Sequence, residues 1–130
     1  MSKRQEYRVQ GLGEPISHYT DAVRWGDLLF LSGVVATDED WNLLGGDDAT
    51  QQARALFVNM GKMLEAAGAG PRDVLKVTVY LTDVEDRASV DIARREFFGS
   101  HRPASTLVEV SSLAHPGWKV EVDAVAGIPS

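Results

Sequence analysis

The chain contains no cysteine, which excludes disulfide bridges, zinc–thiolate centres and a thiol nucleophile, and which fits a reducing, cytoplasmic setting. Positive charge is scarce: 13 Lys and Arg stand against 19 Asp and Glu, a formal net charge of −6. The basic residues are scattered, so no surface is expected that could neutralise a run of phosphates, and nucleic acid is not an expected partner. Long apolar runs are missing too. No stretch approaches the roughly 20 residues that cross a bilayer, and Met1 to Tyr7 holds basic residues with no apolar segment behind them, so neither a membrane span nor a leader is expected. His18, His101 and His115 show no ligand spacing, and no metal is expected. What is present, 44% apolar side chains in 130 residues, suffices for one core and not two, so residues 1–130 are expected to form a single domain.

Read in order, the chain begins with a polar stretch carrying Gly11, Gly13 and Pro15, compatible with at most a short strand around Tyr7 to Val9 and then a loop ending at Ile16 to Tyr19. Ala22 to Trp25 and Leu28 to Gly33 flank Gly26-Asp27 and predict an antiparallel hairpin. Leu28 to Leu31 is continuously apolar, which predicts a central strand covered on both faces, with Gly33 marking a bulge or a close backbone approach. After a loop anchored by Trp41 and Leu43 or Leu44, a helix is predicted from about Ala49 to Ala67. Its apolar stripe runs from Ala53 through Phe57 and Met60 to Leu64; Asp47, Asp48 or Thr50 would cap it, and Gly68 would stop it. Val74 to Leu81 reads as an interior strand, and Asp86 to Ser100 as a second helix with Val90, Ala93 and Phe97 inward and Arg87, Arg94 and Arg95 exposed.

The last third organises the rest. Arg102 to Val110 and Lys119 to Ala126 each alternate at period two, and the seven residues 111–117 lie before Trp118, predicting two half-buried strands with a turn between them. Ser105, Thr106, Glu109, Glu121 and Asp123 are too many hydroxyls and carboxylates for strands that bury a face, unless some line a cavity. The expected architecture is an α+β fold of order β-β-α-β-α-β-β, a mixed sheet with two helices on one face. Nothing in the chain is left to cover the other face, so a homo-oligomer is expected.

These elements together resemble the Rid (YjgF/YER057c/UK114) family of reactive imine and enamine deaminases. The resemblance runs from about Ile16 to Ala126 and rests on Leu28 to Gly33, Leu64 to Gly68, Asp73 to Asp83, Glu96 to Phe98, Arg102 to Val110 and Val120 to Ala126. It implies a chorismate-mutase-like fold, a homotrimer with clefts at the subunit interfaces, and hydrolysis of enamines or imines without a cofactor. Members usually carry an arginine directly after the Pro-Ala matching Pro103-Ala104, where it forks onto the substrate carboxylate; here Ser105 stands there. A hydroxyl supplies no charge, so the resemblance implies a substrate other than the simplest 2-imino acids, for instance an amino-diene acid from aromatic-ring cleavage.

By the same resemblance Glu121 matches the strand carboxylate that holds or activates the attacking water, and Tyr19 matches a tyrosine at the cleft. The alternatives are a salt-bridged glutamate on a solvated face and a packing tyrosine with its hydroxyl in water. Ser105 and Thr106 are candidate hydrogen-bonding groups to substrate, with Gly33 as a close backbone neighbour. Arg102 or Arg24 is the candidate counter-charge for a carboxylate, although Arg102 also fits an exposed loop residue. His18, beside Tyr19, is a candidate proton-transfer group and equally a surface histidine. Glu109 and Asp123 are expected to pair with Lys76 or Lys119, and Trp25, Trp41 and Trp118 to be core or interface anchors, with an aromatic cleft wall as the minor alternative. From another functional class, a trimeric protein that binds or senses a small metabolite without turnover fits the same features.

Overall fold

A computed structural model describes residues 3–130; the first two residues of the N-terminal stretch read above for a leader lie outside the described residues. Six strands and two helices follow in the order β1 (Arg4–Tyr7), β2 (Ala22–Trp25), β3 (Leu28–Val34), α1 (Ala49–Ala66), β4 (Val74–Leu81), α2 (Arg87–Phe98), β5 (Ala104–Glu109) and β6 (Val120–Gly127). The expected sequence of elements is present, with a further edge strand at the start. That strand ends before Val9, because the Val9 N–H leaves the ladder and donates to the buried Asp21 carboxylate at 2.7 Å, which Arg8 also grips.

Gly26, at φ 60°, turns β2 into β3 through a two-residue loop closed by the Trp25–Leu28 pair. The sheet order is β1-β2-β3-β6-β4-β5. β5 runs parallel to β4 and β6 antiparallel to it, so the two alternating segments of the last third are not neighbours: β4 lies between them. α2 makes the crossover that a parallel pair requires, and β5 becomes the exposed edge instead of a half-buried partner of β6.

Both helices cover one face. Leu29 and Leu31, Val77 and Val79, and Val120 and Val122 point into a core filled from α1 by Leu56, Met60 and Leu64. Asp48 caps α1 by accepting the Gln51 N–H at 3.1 Å. Phe57 stacks on Phe97 at 5.0 Å, with Phe98 edge-on at 5.7 Å, which fixes α2 against α1. Phe98 is buried and Phe97 only partly so, while Arg94 is half-buried and not exposed.

The opposite face is open. Leu28 and Phe30 alternate with the buried Leu29 and Leu31, so β3 is interior to the sheet but covered on one side only; Phe30 is 45% and its neighbour Trp25 55% exposed. The unbroken apolar run Leu28 to Leu31 therefore divides into core on one face and an uncovered apolar patch on the other. No helix among the described residues is long and apolar enough to cross a membrane.

Two buried polar residues on α1, seven positions apart and so on one stripe, tie the helix to the loops at one end of the sheet. Gln52 donates to the carbonyls of Gly46 (2.7 Å) and Gly117 (2.9 Å) and accepts the Lys119 N–H at 2.9 Å. Asn59 donates to the carbonyls of Val35 (3.0 Å) and Thr37 (2.8 Å). Gln52→Ala strands three backbone groups at once and is expected to destabilise the protein by about 2–3 kcal/mol. Urea titration reads this as a lower midpoint at unchanged slope; an unchanged midpoint would show that Gln52 is not a structural tie.

Candidate functional site

The loops held by Gln52 and Asn59 enclose a cleft of about 400 Å³ at the end of the open sheet face. Ile16, Ser17 and Tyr19 form one lip, Ala114 and Trp118 the other, Trp41 the wall between, and Ser32, Gly33 and Glu121 the floor. Trp41 and Trp118 stack with centroids 6.3 Å apart and both line the cleft; Trp118, buried at 7% exposure, is also the core anchor expected from the sequence.

Trp41 is the only non-glycine among the described residues with positive φ, at 65°. Its indole donates to the Glu14 carbonyl at 2.8 Å and lies on Gly13, where a Cβ would come within 2.6 Å of the ring. A bulky residue held in this sparsely populated conformation pins residues 13–19 over the cleft, a cost the surrounding contacts must offset.

Glu121 sits on β6 opposite Tyr80. The β3–β6 register shifts between Leu31 and Val34, and Gly33 lies in that irregularity with the Glu121 carboxylate directly over its Cα. A Cβ there would stand 2.8 Å from Glu121 Cδ and closer still to Oε2, so the expected close approach at Gly33 is real, and its occupant is the candidate catalytic group. Burial, and secondarily the nearby Asp123 charge, push the Glu121 carboxyl above the usual carboxylate range. Asp123 accepts the Tyr80 hydroxyl at 2.9 Å, which with burial raises the phenol.

Tyr19, Gly33 and Glu121 are thus brought together within one chain. Tyr19 is 42% exposed, its hydroxyl accepting the Ile16 N–H at 3.4 Å. Beneath the cleft, and sharing Tyr19, Gly33 and Trp41 with it, lies a chamber of about 40 Å³ reached by Asp21 and Asn59, above the roughly 10–15 Å³ that one water needs.

The other candidates lie elsewhere on the same chain. Ser105 is paired with Val77 on the helix-side register of β5 and accepts a hydrogen bond from Arg94 at 3.1 Å. Thr106 faces the opposite way and accepts from Lys76 at 2.7 Å. Arg24 donates to the Gly26 carbonyl of its own hairpin. His18 is exposed and outside the cleft lining. Arg102 lies with His101 in a second pocket, lined by α2 and the segment 99–103 that follows it. The expected pairs of Glu109 and Asp123 with Lys76 or Lys119 are not formed: Glu109 accepts the Val84 N–H, and Lys119 pairs with Asp47 at 3.1 Å. No group of three or more potential metal ligands occurs among the described residues. The sequence reading missed Arg94 as a neighbour of Ser105; its place on the α2 face beside Ala93 and Phe97 was the available signal.

The family model described as Endoribonuclease L-PSP matches residues 12–128. A RutC family protein of Pyrococcus horikoshii is 37% identical over 113 residues, covering 87% of this chain and 89% of that one. The human protein named 2-iminobutanoate/2-iminopropanoate deaminase is 32% identical over 111 residues, 85% of this chain and 80% of its own. The crystal structure of a YjgF/YER057c/UK114 family member from Mycobacterium tuberculosis superposes with a TM-score of 0.82 at 30% identity, covering 96% of this chain and 99% of that one.

Two outcomes follow from Glu121 and Gly33. Because the folded carboxyl binds its proton more tightly than the unfolded one, its contribution to stability is full below the unfolded pKa and is lost as pH rises through the folded value. Glu121→Gln is therefore expected to raise Tm at pH 7–8, with the gain fading as pH falls through the carboxylate range; a gain independent of pH would contradict the desolvated carboxylate. Gly33→Ala has no positive φ to violate and only a flexible side chain to displace, so Tm should change by no more than a few degrees while the Glu121 carboxylate leaves the floor. A crystal structure of the variant with Glu121 unmoved would refute this.

Proposed function

The chain belongs to the Rid (YjgF/YER057c/UK114) family, the one whose model is described as Endoribonuclease L-PSP, and on that footing we propose that it is a hydrolytic deaminase of reactive imines and enamines, acting in the cytoplasm without a cofactor. The observation that carries the reading is a desolvated, raised carboxyl on the floor of an aromatic-walled cleft, with a water-sized chamber beneath.

For an enamine, protonated Glu121 delivers a proton to the nucleophilic carbon, giving an iminium and the carboxylate. The carboxylate then takes a proton from a water as the water oxygen bonds to the iminium carbon, returns it to the carbinolamine nitrogen, and accepts the hydroxyl proton as the C–N bond breaks, leaving carbonyl product, ammonia and protonated Glu121. A carboxyl raised above the usual carboxylate range suits both steps, because it holds its proton more readily for the first and is the stronger base for the second. Tyr19 orients the substrate from the lip, and the tryptophans exclude bulk water around it.

The same reading assigns the open apolar face around Trp25 and Phe30 to a homotrimer, in which Ser105 and Arg102 of one copy approach the cleft of the next. Its favoured substrate is an unsaturated amino acid such as an amino-diene acid, for which two tryptophans offer a flat wall. Cleavage of RNA fits the cleft less well, since its lining holds one carboxylate and no Lys, Arg or His to receive a phosphodiester.

Ammonia release from imines and enamines generated in situ tests the activity. Turnover above the buffer rate is expected, with Glu121→Ala reduced at least about 100-fold. Saturable ligand binding with no turnover in either protein would favour a metabolite-binding role instead. Asp123→Asn removes a charge that raises Glu121, so the acid limb of the rate on imine substrates, governed by ionisation of Glu121, is expected to move to lower pH. A limb that stays in place would detach Asp123 from the chemistry.

A further inference from the structure

Hydrolysis consumes one water per turnover, yet a cleft whose tryptophans exclude bulk water around the substrate closes the direct route for it. The chamber of about 40 Å³ beneath the cleft is the other source that the structure offers. Cleft and chamber share Tyr19, Ser32, Gly33, Val35 and Trp41, so these residues alone form the wall between the chamber and the floor on which Glu121 lies. The chamber is too small to admit an amino-diene acid and exceeds the roughly 10–15 Å³ that one water needs.

Three of its lining residues, Asp21, Thr37 and Asn59, are polar and each only 6% exposed. All three keep hydrogen-bonding capacity that the protein leaves unused. Both bonds to the Asp21 carboxylate, from the Arg8 guanidinium and the Val9 N–H, fall on Oδ2, which leaves Oδ1 without a donor. Asn59 gives its two amide protons to the carbonyls of Val35 and Thr37, which fixes the nitrogen end of the amide and leaves Oδ1 as an acceptor with no donor. Thr37 engages Val35 and Asn59 through its backbone, while no group among the described residues bonds to its hydroxyl. Every fully buried side-chain nitrogen or oxygen among the described residues has a partner. These three atoms are therefore not sealed in protein, and the cavity that their residues share is the chamber. Two acceptors and one hydroxyl are the complement of a water, which donates to Asp21 Oδ1 and Asn59 Oδ1 and accepts from Thr37. A metal ion fits less well, because Arg8 already balances the one carboxylate.

We propose that the chamber is a water-binding site in which Asp21, Thr37 and Asn59 hold the water that the cleft consumes. The supply role rests on the reading of the cleft as a deaminase site. The water passes the wall at Gly33, where no side chain stands between the backbone and the Glu121 carboxylate. There it gives one proton to the carboxylate as its oxygen bonds to the iminium carbon, and the chamber refills once product has left. Asp21, Thr37 and Asn59 are positioning residues in this scheme, because they touch the water before it reacts and never the substrate. The same water joins the base of the 9–21 loop, through Asp21, to α1, through Asn59, and to the segment after β3, through Thr37.

A crystal structure locates the water, and oxygen-17 relaxation dispersion counts the long-lived internal waters of the wild type, Thr37→Val and Thr37→Ser, each checked for Tm. The expected result is a water within about 3.2 Å of Asp21 Oδ1 and Asn59 Oδ1, one long-lived water fewer in Thr37→Val, and the wild-type count in Thr37→Ser, which keeps the hydroxyl. In ammonia-release assays kcat should fall about 5- to 10-fold in Thr37→Val with KM unchanged, and recover in Thr37→Ser. A purely structural hydroxyl would lower Tm without separating kcat from KM. A chamber with no ordered water in the wild type, or a Thr37→Val protein with wild-type kcat, overturns the proposal. A Thr37-dependent water in a protein that releases no ammonia supports the water site while removing the deaminase reading, so the two failures are distinct.

Discussion

The contact on which this structure depends is the seating of the Glu121 carboxylate over the backbone of Gly33. Only a residue without a side chain leaves room there. The register irregularity in β3 opens the space, the pairing of β6 with both β3 and β4 fixes the strand beneath the carboxylate, and the loops above remove it from water. No cation faces it across the cleft, so burial acts without compensation and the proton is held more tightly. The protein thus keeps near its surface a group that lowers its stability at neutral pH, and this is the expected sign for an acid–base residue, where stability and reactivity pull apart.

The scaffold around that contact is built to be rigid. α1 carries the core on one stripe and, along the same stripe, the two buried amides that hold opposite rims of the cleft. Gln52 fixes the segment that presents Trp118, and Asn59 fixes the segment after β3 that leads to Trp41. Trp41 in turn holds the 13–19 loop that carries Tyr19. Each of the three side chains around the cleft is therefore connected back to one helix through satisfied hydrogen bonds, and no buried side-chain polar atom among the described residues lacks a partner.

Much of this was legible in the residues. Period-three-and-four spacing placed both helices, the Gly26-Asp27 turn placed the first hairpin, and alternation in β6 separated Glu121 and Asp123 from the core valines. Alternation reports which side of a sheet a residue faces, however, and not which strand lies beside it. For that reason β5 and β6 looked adjacent although β4 divides them, and Leu28 to Leu31 looked covered on both faces although half of it is open. The pairs that form across elements, Tyr80 with Asp123, Arg94 with Ser105 and Trp41 with Trp118, lie 43, 11 and 77 residues apart in sequence and leave no local trace. Glu121 and Tyr19 were reached through family resemblance; the reason they can cooperate, a glycine under one and a pinned loop carrying the other, is visible only in three dimensions.

The central claim is that Glu121 retains its proton at pH values where an ordinary glutamate has lost it. Carbon-13 NMR titration of the Glu121 side-chain carboxyl measures this directly. The account predicts a midpoint displaced upward from that of an exposed glutamate, and displaced back toward it when Asp123 is replaced by asparagine. A Glu121 midpoint at or below the exposed value would contradict the account, because a solvated or ion-paired carboxylate on that floor would be neither the acid nor the base that the proposed hydrolysis requires.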